Sequence, residues 1–261
     1  MIIDIQFNQG AAPWQHMREA VLAAEATGYD TVWNLDHFSG VMFGSDSMSE
    51  CFTSLTAWAT ATSTINIGTL VTNINNRHPG LLANIVSSLQ DISSGRLRLG
   101  IGAGTSPTSP YGGEQRALAM EVLPTMAERH RRLVDNVEVM REIWSHDRDA
   151  SFAGFPRPGV VPPVIVGVNS PGLASIAGQH FDGINTRFNH PQRAELVRAA
   201  LDAAGDRPFD VSVWSPFVTE YADPDHPFSK ELAAEGVTRL IMFDTGAPDL
   251  ALVQSVRRYL D

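Results

Sequence analysis

Short apolar segments recur along the whole chain. Each is apolar throughout or alternates apolar with polar positions, as strands with one or two buried faces do. Turn-forming residues or amphipathic stretches separate one segment from the next. The pattern predicts eight strands, at Ile2–Phe7, Thr31–Leu35, Ile65–Val71, Leu97–Ile101, Pro163–Gly167, Gly183–Thr186, Val211–Ser215 and Arg239–Phe243.

Amphipathic segments with helix start signals lie between these strands. They are Trp14–Ala26, Ser49–Thr62, Leu81–Ile92, Met120–Trp144, Pro171–Gln179, Pro191–Ala204 and Pro248–Tyr259. Strict alternation of the two kinds of element indicates parallel strands joined by right-handed crossovers. Eight such units in 261 residues match the size of a (β/α)8 TIM barrel. Because no long Pro/Gly/Ser linker divides the chain, we predict a single α/β domain over residues 1–261.

An open, doubly wound sheet is the competing fold. It would carry a glycine fingerprint directly after the first strand, where this chain has only Asn8–Ala11. The barrel is therefore favoured. In a barrel the chemistry belongs at the carboxyl ends of the strands, and Asp36 and His37 follow the second strand directly. Two adjacent ionisable groups at a strand end cost desolvation energy, which makes them candidates for a functional site.

Composition narrows the set of partners. The formal net charge of −10 and the pI near 5.2 argue against nucleic acid or an anionic membrane surface as the main partner, and no apolar run is long enough to span a membrane. Cys51 is the single cysteine, so no intrachain disulfide can form. Since the N-terminus also carries no signal-like segment, we expect a cytoplasmic protein whose partner is a small molecule.

The sequence lacks the spacings of common hydrolytic sites. Its eight histidines include no H-x-H, H-E-x-x-H or Cys/His cluster, so we predict no metal site. No G-x-S-x-G motif occurs either, which leaves nucleophilic hydrolysis without support.

Two glycine-containing loops are candidates for binding an anion. Gly100–Gly104 is either a phosphate loop or a tight turn after the fourth strand. In Gly167–Gly172, Ser170 and the first N–H groups of the next helix could face a phosphate, or Ser170 could simply cap that helix. The sequence leaves both choices open.

Several motifs in chain order resemble the luciferase-like monooxygenase superfamily, and within it the branch that uses the deazaflavin coenzyme F-420 instead of a flavin. The segments that carry the resemblance are Asp36-His37-Phe38, Ile65–Asn73, Arg77–Pro79, Leu89–Gly104, Glu128–Trp144, Pro162–Gly167 and Phe181–Asn185.

The resemblance implies a bacterial-luciferase-like TIM barrel, in a short version with reduced insertions, that binds the coenzyme ring at its C-terminal mouth. It places the imidazole of His37 near the reacting carbon for acid/base work and lets Asp36 orient the ring or the imidazole. It also implies a cis peptide bond at Leu70–Val71. The candidate coenzyme-binding residues are Asp36, Leu70, Val71, Thr72, Asn73, Gly104, Thr105, Gly167, Val168, Asn169 and Ser170.

The chain also departs from the family pattern. After Gly104 many relatives continue with Trp-Asn and an acidic helix start, whereas Thr105–Gly113 stands here, so a hydroxyl of Thr105 or Ser106 would have to replace the missing amide. The short connection Phe188–Pro191 suggests an open substrate pocket. We find no cluster of Lys and Arg of the kind that would hold a sugar phosphate, which disfavours a sugar-phosphate dehydrogenase.

Three functions remain possible at this level. The first is an oxidoreductase that transfers a hydride between coenzyme F-420 and a small organic substrate. The second is an FMN-dependent monooxygenase, and the third is a flavin- or deazaflavin-binding barrel without turnover. The resemblance also implies a homodimer, in which Phe52, Leu55, Trp58 and Ile85 either form an apolar contact surface or belong to the core.

Overall fold

The computed structural model describes residues 1–260, and within them eight parallel strands close into a barrel. The strands follow chain order, and the last strand pairs with the first, so every strand has two neighbours. The predicted (β/α)8 barrel is confirmed. The strands are β1 Ile2–Phe7, β2 Thr31–Asn34, β3 Asn66–Asn73, β4 Leu97–Gly102, β5 Val164–Gly167, β6 Gly183–Arg187, β7 Asp210–Pro216 and β8 Arg239–Asp244.

Helices surround the barrel and bury their apolar faces against it. They are α1 Trp14–Thr27, α2 Cys51–Ala61, α3 Pro79–Ile92, α4 Gly113–Ala117, α5 Met126–Trp144, α6 Pro171–His180, α7 Arg193–Ala204, α8 Pro227–Ala234 and α9 Leu250–Gln254. The predicted strands and helices all occur, most with ends shifted by one or two residues. No helix within residues 1–260 combines the length and apolarity needed to cross a membrane.

Three helix predictions differ from the structure. The segment predicted as one helix over Pro248–Tyr259 contains α9 and a separate 3-10 turn at Arg257–Tyr259. The segment predicted as one helix from Met120 contains only α5, which begins after Thr125 in a capping box with Glu128. The short helix α4 precedes it and was not predicted. Helix α8 was also not predicted; its eight residues begin at Pro227, after His226 caps the first turn. Helices of five to eight residues carry too little periodic pattern to stand out.

Strand β3 is irregular where the family resemblance places a bulge. The Leu70–Val71 peptide bond is cis, as predicted, and the register with β4 shifts between Thr69 and Thr72. A Cβ at Gly100 would lie 2.0 Å from the carbonyl oxygen of Thr69. Gly100 is therefore needed because only glycine leaves room for β3 at this position. Its presence does not require that Gly100–Gly104 bind a phosphate.

A buried ion cluster closes the opposite end of the barrel. One guanidinium nitrogen of Arg239 lies 2.7 and 2.8 Å from the two carboxylate oxygens of Asp4 and 2.7 Å from Asp30, while its Nε lies 3.2 Å from Asp210. The Arg239 side chain is 3% exposed and that of Asp4 is fully buried. The cluster joins the starts of β7 and β8 to β1.

The residues considered for a dimer surface belong to the core. Phe52, Leu55 and Trp58 are each at most 4% exposed, and the half-buried Ile85 packs against the same core cluster. They face the barrel because α2 and α3 bury their apolar stripes there. The homodimer itself remains a prediction.

Candidate active site

A cavity of about 420 Å³ opens at the carboxyl ends of the strands. Its location is the one where (β/α)8 barrels carry their sites. All predicted site residues except Thr72 and Ser170 line it, namely Asp36, His37, Leu70, Val71, Asn73, Gly104, Thr105, Gly167, Val168 and Asn169.

The two exceptions are explained by their local structure. Thr72 is fully buried in β3 and lies outside the lining. The hydroxyl of Ser170 accepts a hydrogen bond from the Leu173 N–H at 3.4 Å, so Ser170 caps α6. The capping alternative for Ser170 is the one that the structure supports.

Asp36 is held by an arginine and not by its sequence neighbour. The two terminal nitrogens of Arg77 lie 2.9 Å from the two oxygens of Asp36, which also accepts from the Asn73 N–H at 2.9 Å. Arg77 in turn contacts Glu50 at 2.6 Å and lies over the ring of Phe52. Of the two roles predicted for Asp36, orienting the imidazole of His37 is therefore wrong, because its oxygens are committed to the loop after β3. Orienting the coenzyme ring stays a prediction.

Burial and the two acids Asp36 and Glu50 have opposite effects on the pKa of Arg77. Burial lowers its pKa, but the hydrogen bonds and charges of Asp36 and Glu50 outweigh burial and raise the pKa above the ordinary value. Arg77 thus stays charged, and the pair fixes the end of β2 to the loop after β3.

His37 is oriented by Glu114, which comes from α4. The Nδ1 atom of His37 lies 2.8 Å from Oε1 of Glu114, while Oε2 accepts from the backbone N–H groups of Phe38 and Ser39 at 2.7 and 3.0 Å. Sequence reasoning missed this partner, which is 77 positions away. The signal that could have found it is an acid in the first turn of a helix after β4.

These contacts set the charge state of Glu114. Burial raises the pKa of its carboxyl, but His37 and the two N–H donors outweigh burial and hold the pKa below the ordinary 4.5. Because the ionised Glu114 carboxylate can only accept a hydrogen bond, the proton between the two groups belongs to Nδ1 of His37. No other residue among 1–260 hydrogen-bonds to Nε2, so that nitrogen can exchange a proton with a ligand in the cavity.

We expect Glu114→Gln to lower stability in a pH-dependent way. The variant loses charge-assisted hydrogen bonds worth about 2 kcal/mol in total at pH 7. Because the folded-state pKa of Glu114 is depressed, this contribution is complete above pH 4.5 and is lost as the pH falls through the lowered pKa. Urea unfolding of both proteins across this range measures the difference. An equal difference at every pH would show that the carboxylate charge contributes nothing.

Aromatic side chains form one wall of the cavity, and sequence reasoning missed them as well. They are Phe43 after β2, Tyr111 after β4, Trp214 on β7 and Phe243 on β8. The available signal was an aromatic residue near the carboxyl end of a strand, which Trp214 and Phe243 both satisfy.

Another part of the lining carries positive charge. Arg129 and His130 from α5 and Arg187 from the end of β6 lie there. The available signal was the basic run Arg129–Arg132, which sequence reasoning missed. Burial lowers the pKa of His130, and the neighbouring Arg129 lowers it further, so the charge resides on the two arginines. The barrel assembles this group because α5 and the end of β6 meet at the same mouth.

A buried polar atom without a partner lies in β6, one residue before Arg187. Thr186 is 2% exposed, and its Oγ1 has no hydrogen-bond partner among residues 1–260. The amides of Asn73, Asn169 and Asn185 also reach the lining. The cavity thus offers hydrogen bonds, two positive charges and an aromatic wall to the molecules that bind in it.

The sequence model of the luciferase-like monooxygenase family matches residues 3–241. The chain belongs to this family. Its fold, its bulge at Leu70–Val71 and its cavity at the C-terminal mouth agree with the membership that the sequence motifs indicated.

Relatives of this luciferase-like monooxygenase family member are redox enzymes by name. A 5,10-methylenetetrahydromethanopterin reductase of Archaeoglobus fulgidus is 28% identical over 183 residues, 70% of this chain and 52% of its own length. An F-420-dependent hydroxymycolic acid dehydrogenase of Mycobacterium tuberculosis is 30% identical over 200 residues, 71% of this chain and 53% of its own length. The chain spans about half the length of these curated relatives.

Solved structures share the family fold over the whole chain. An F-420-dependent secondary alcohol dehydrogenase in complex with an F-420–acetone adduct superposes with a TM-score of 0.79 at 19% identity, covering 100% of both chains. A coenzyme F-420-dependent tetrahydromethanopterin reductase from Methanopyrus kandleri gives 0.72 at 14% identity, covering 99% of this chain and 97% of that one. At these identities the likeness shows the fold alone.

Proposed function

We propose that this protein is an oxidoreductase that transfers a hydride between coenzyme F-420 and a small organic substrate. The names of several relatives support the coenzyme. The observation that carries the proposal is the His37–Glu114 pair at a ligand-sized cavity. A hydride transfer to a carbonyl carbon needs a proton donor beside it, and one from a carbinol carbon needs a proton acceptor.

The cavity residues fit such a coenzyme. Leu70 and Val71 at the bulge offer an apolar surface for a planar ring, and the amides of Asn169 and Asn185 can bond polar substituents. Arg129 and Arg187 can hold the anionic phosphate tail that F-420 and FMN both carry. Asn73, on the same strand as the bulge, would add an amide contact.

In this proposal the protein moves a proton while the bound coenzyme supplies or accepts the hydride. His37 holds a proton on Nδ1 against Glu114 and exchanges a second one at Nε2 with the substrate. The Glu114 carboxylate stabilises the imidazolium when both nitrogens are protonated. Arg77 neutralises Asp36, so that acid adds no unpaired charge beside the reacting atoms.

Equilibrium binding of F-420 and, separately, of FMN tests the coenzyme. We expect the purified protein to bind F-420 at least about tenfold more tightly than FMN. Quenching of fluorescence on binding measures both affinities. Arg187→Met should weaken F-420 binding by about tenfold through loss of a charge-assisted bond. Arg198→Met on the exposed face of α7 is the matched control and should have no effect.

Each other outcome has a definite meaning. A preference for FMN would favour the monooxygenase alternative on the same barrel. Binding of neither coenzyme would contradict the proposed function. Tight F-420 binding without turnover of any carbonyl compound or alcohol would favour a barrel that only binds its ligand.

A further inference from the structure

Three aromatic side chains form a connected surface in one half of the cavity. The ring of Phe43 lies 6.4 Å from that of Phe243, which lies 5.6 Å from Trp214, as measured between centroids. These are the distances of interacting aromatic pairs. We call the surface formed by Phe43, Trp214 and Phe243 the aromatic pocket.

One end of the aromatic pocket lies next to His37, the residue that transfers the proton in the proposed function. The imidazole of His37 lies 4.9 Å from Phe43, in an edge-on arrangement. A substrate atom that reaches Nε2 of His37 is therefore next to Phe43, and the group attached to that atom meets the aromatic pocket. This contact assigns the aromatic pocket to the substrate, while the bulge and the arginines remain for the coenzyme.

The indole of Trp214 presents carbon to the cavity because its N–H is already used. It donates to Oε1 of Gln6 at 2.7 Å, and Nε2 of the same Gln6 donates to the carbonyl oxygen of Leu70 at 2.9 Å. Gln6 thus fixes the indole relative to the bulge. The indole therefore offers no N–H to a substrate group that lies against it.

Charge is distributed unevenly between the two halves of the barrel mouth. Strands β7, β8, β1 and β2 are neighbours and carry the aromatic pocket, whereas the arginines come from β6 and from α5, which precedes β5. Arg187 and Trp214 are in register across the β6–β7 boundary. In the aromatic half, His37 and Asp36 are already paired with Glu114 and Arg77. At the end of the aromatic pocket next to His37, a charged substrate group would therefore be desolvated without a free counter-ion. At the other end, next to Trp214, the proposed function assigns Arg187 to the coenzyme.

We propose that the substrate is a small, uncharged carbonyl compound, or the corresponding alcohol, whose apolar substituent lies in the aromatic pocket. This rests on the proposed function, since the coenzyme is the second reactant. In the oxidising direction the carbinol carbon gives its hydride to the coenzyme, the hydroxyl proton passes to Nε2 of His37, and the C–O bond becomes C=O. A cavity of about 420 Å³, at the low end of the usual range, leaves little room beside a tricyclic ring, so the substrate is small.

Isothermal titration of the F-420-loaded protein with methyl ketones tests the substrate class. From 2-butanone to 2-pentanone and 2-hexanone we expect the affinity to rise by about fourfold for each added methylene. The decisive pair is 5-methyl-2-hexanone and 4-oxopentanoate, in which an isopropyl group and a carboxylate have nearly the same shape. We expect the ketone to bind at least about tenfold more tightly.

Variants locate the binding surface. Phe43→Ala, on a short 3-10 turn at the surface, should lower the affinity for 5-methyl-2-hexanone by about tenfold and leave F-420 binding unchanged. Phe243→Leu provides a second, milder change in the same pocket. Phe155→Ala, on an exposed loop, is the matched control and should change neither affinity.

The two proposals fail in different ways. Equal or tighter binding of 4-oxopentanoate, or a ketone affinity that Phe43→Ala does not change, would overturn the substrate class while F-420 binding still supported the proposed function. Failure of F-420 to bind would overturn the proposed function and, with it, the reaction assigned to this pocket.

Discussion

Replacing His37 with alanine is expected to lower kcat by a factor of about 10²–10⁴ while the dissociation constant of coenzyme F-420 stays within about a factor of three. The imidazole supplies a proton-transfer site at Nε2, next to Phe43 of the aromatic pocket. Steady-state kinetics with a turned-over ketone or alcohol and equilibrium binding of the coenzyme measure the two effects separately.

Whether His37→Ala changes kcat or coenzyme binding, and by how much, identifies the role of His37. His180→Ala, on the exposed end of α6, is a suitable control and should leave both quantities unchanged. If His37→Ala weakened coenzyme binding as much as it lowered kcat, His37 would be a binding residue. An unchanged kcat would remove His37 from the reaction altogether.

Replacing Arg239 with methionine is expected to lower the free energy of unfolding by about 3–5 kcal/mol, because the buried Asp4 would lose the one cationic partner it has among residues 1–260. Burial raises the pKa of Asp4 to about 7, and Arg239 acts against this rise. Since the change deletes a buried cation that contacts three carboxylates, its effect should exceed that of any surface substitution.

The pH dependence gives this prediction a second test. Without Arg239 the folded-state pKa of Asp4 rises further above its unfolded value, so the folded protein binds a proton that the unfolded chain has released. Stability then falls as the pH rises, and the deficit of Arg239→Met should be larger at pH 8 than at pH 5. Chemical denaturation at both pH values measures it, with Arg198→Met as the surface control. A deficit below about 1 kcal/mol at pH 8 would contradict the buried-pair argument.

The fold could be predicted from the sequence because it depends on patterns that are local. Burial against the barrel imposes an apolar run on each strand and a stripe on each helix, and these are visible in the sequence whatever the rest of the chain does. The short helices α4 and α8 escaped because they hold too few turns to show a period. The same local information placed Asp36 and His37 at a strand end, and therefore at the mouth.

The partners of those residues could not be predicted in the same way. Asp36 pairs with Arg77 and His37 with Glu114, although the sequence suggested that the two neighbours act on each other. Which of two adjacent side chains meets which distant group depends on the direction of each side chain and on the path of the loops after β3 and β4.

The aromatic pocket shows the same division. By itself the sequence determined a (β/α)8 barrel with an acid and an imidazole at its mouth, because residue period and strand ends are properties of short segments. Only the tertiary structure decided that Phe43, Trp214 and Phe243 lie together and that Glu114 orients His37. These contacts join residues far apart in the chain, and they exist because closing the barrel brings the ends of all eight strands to one rim.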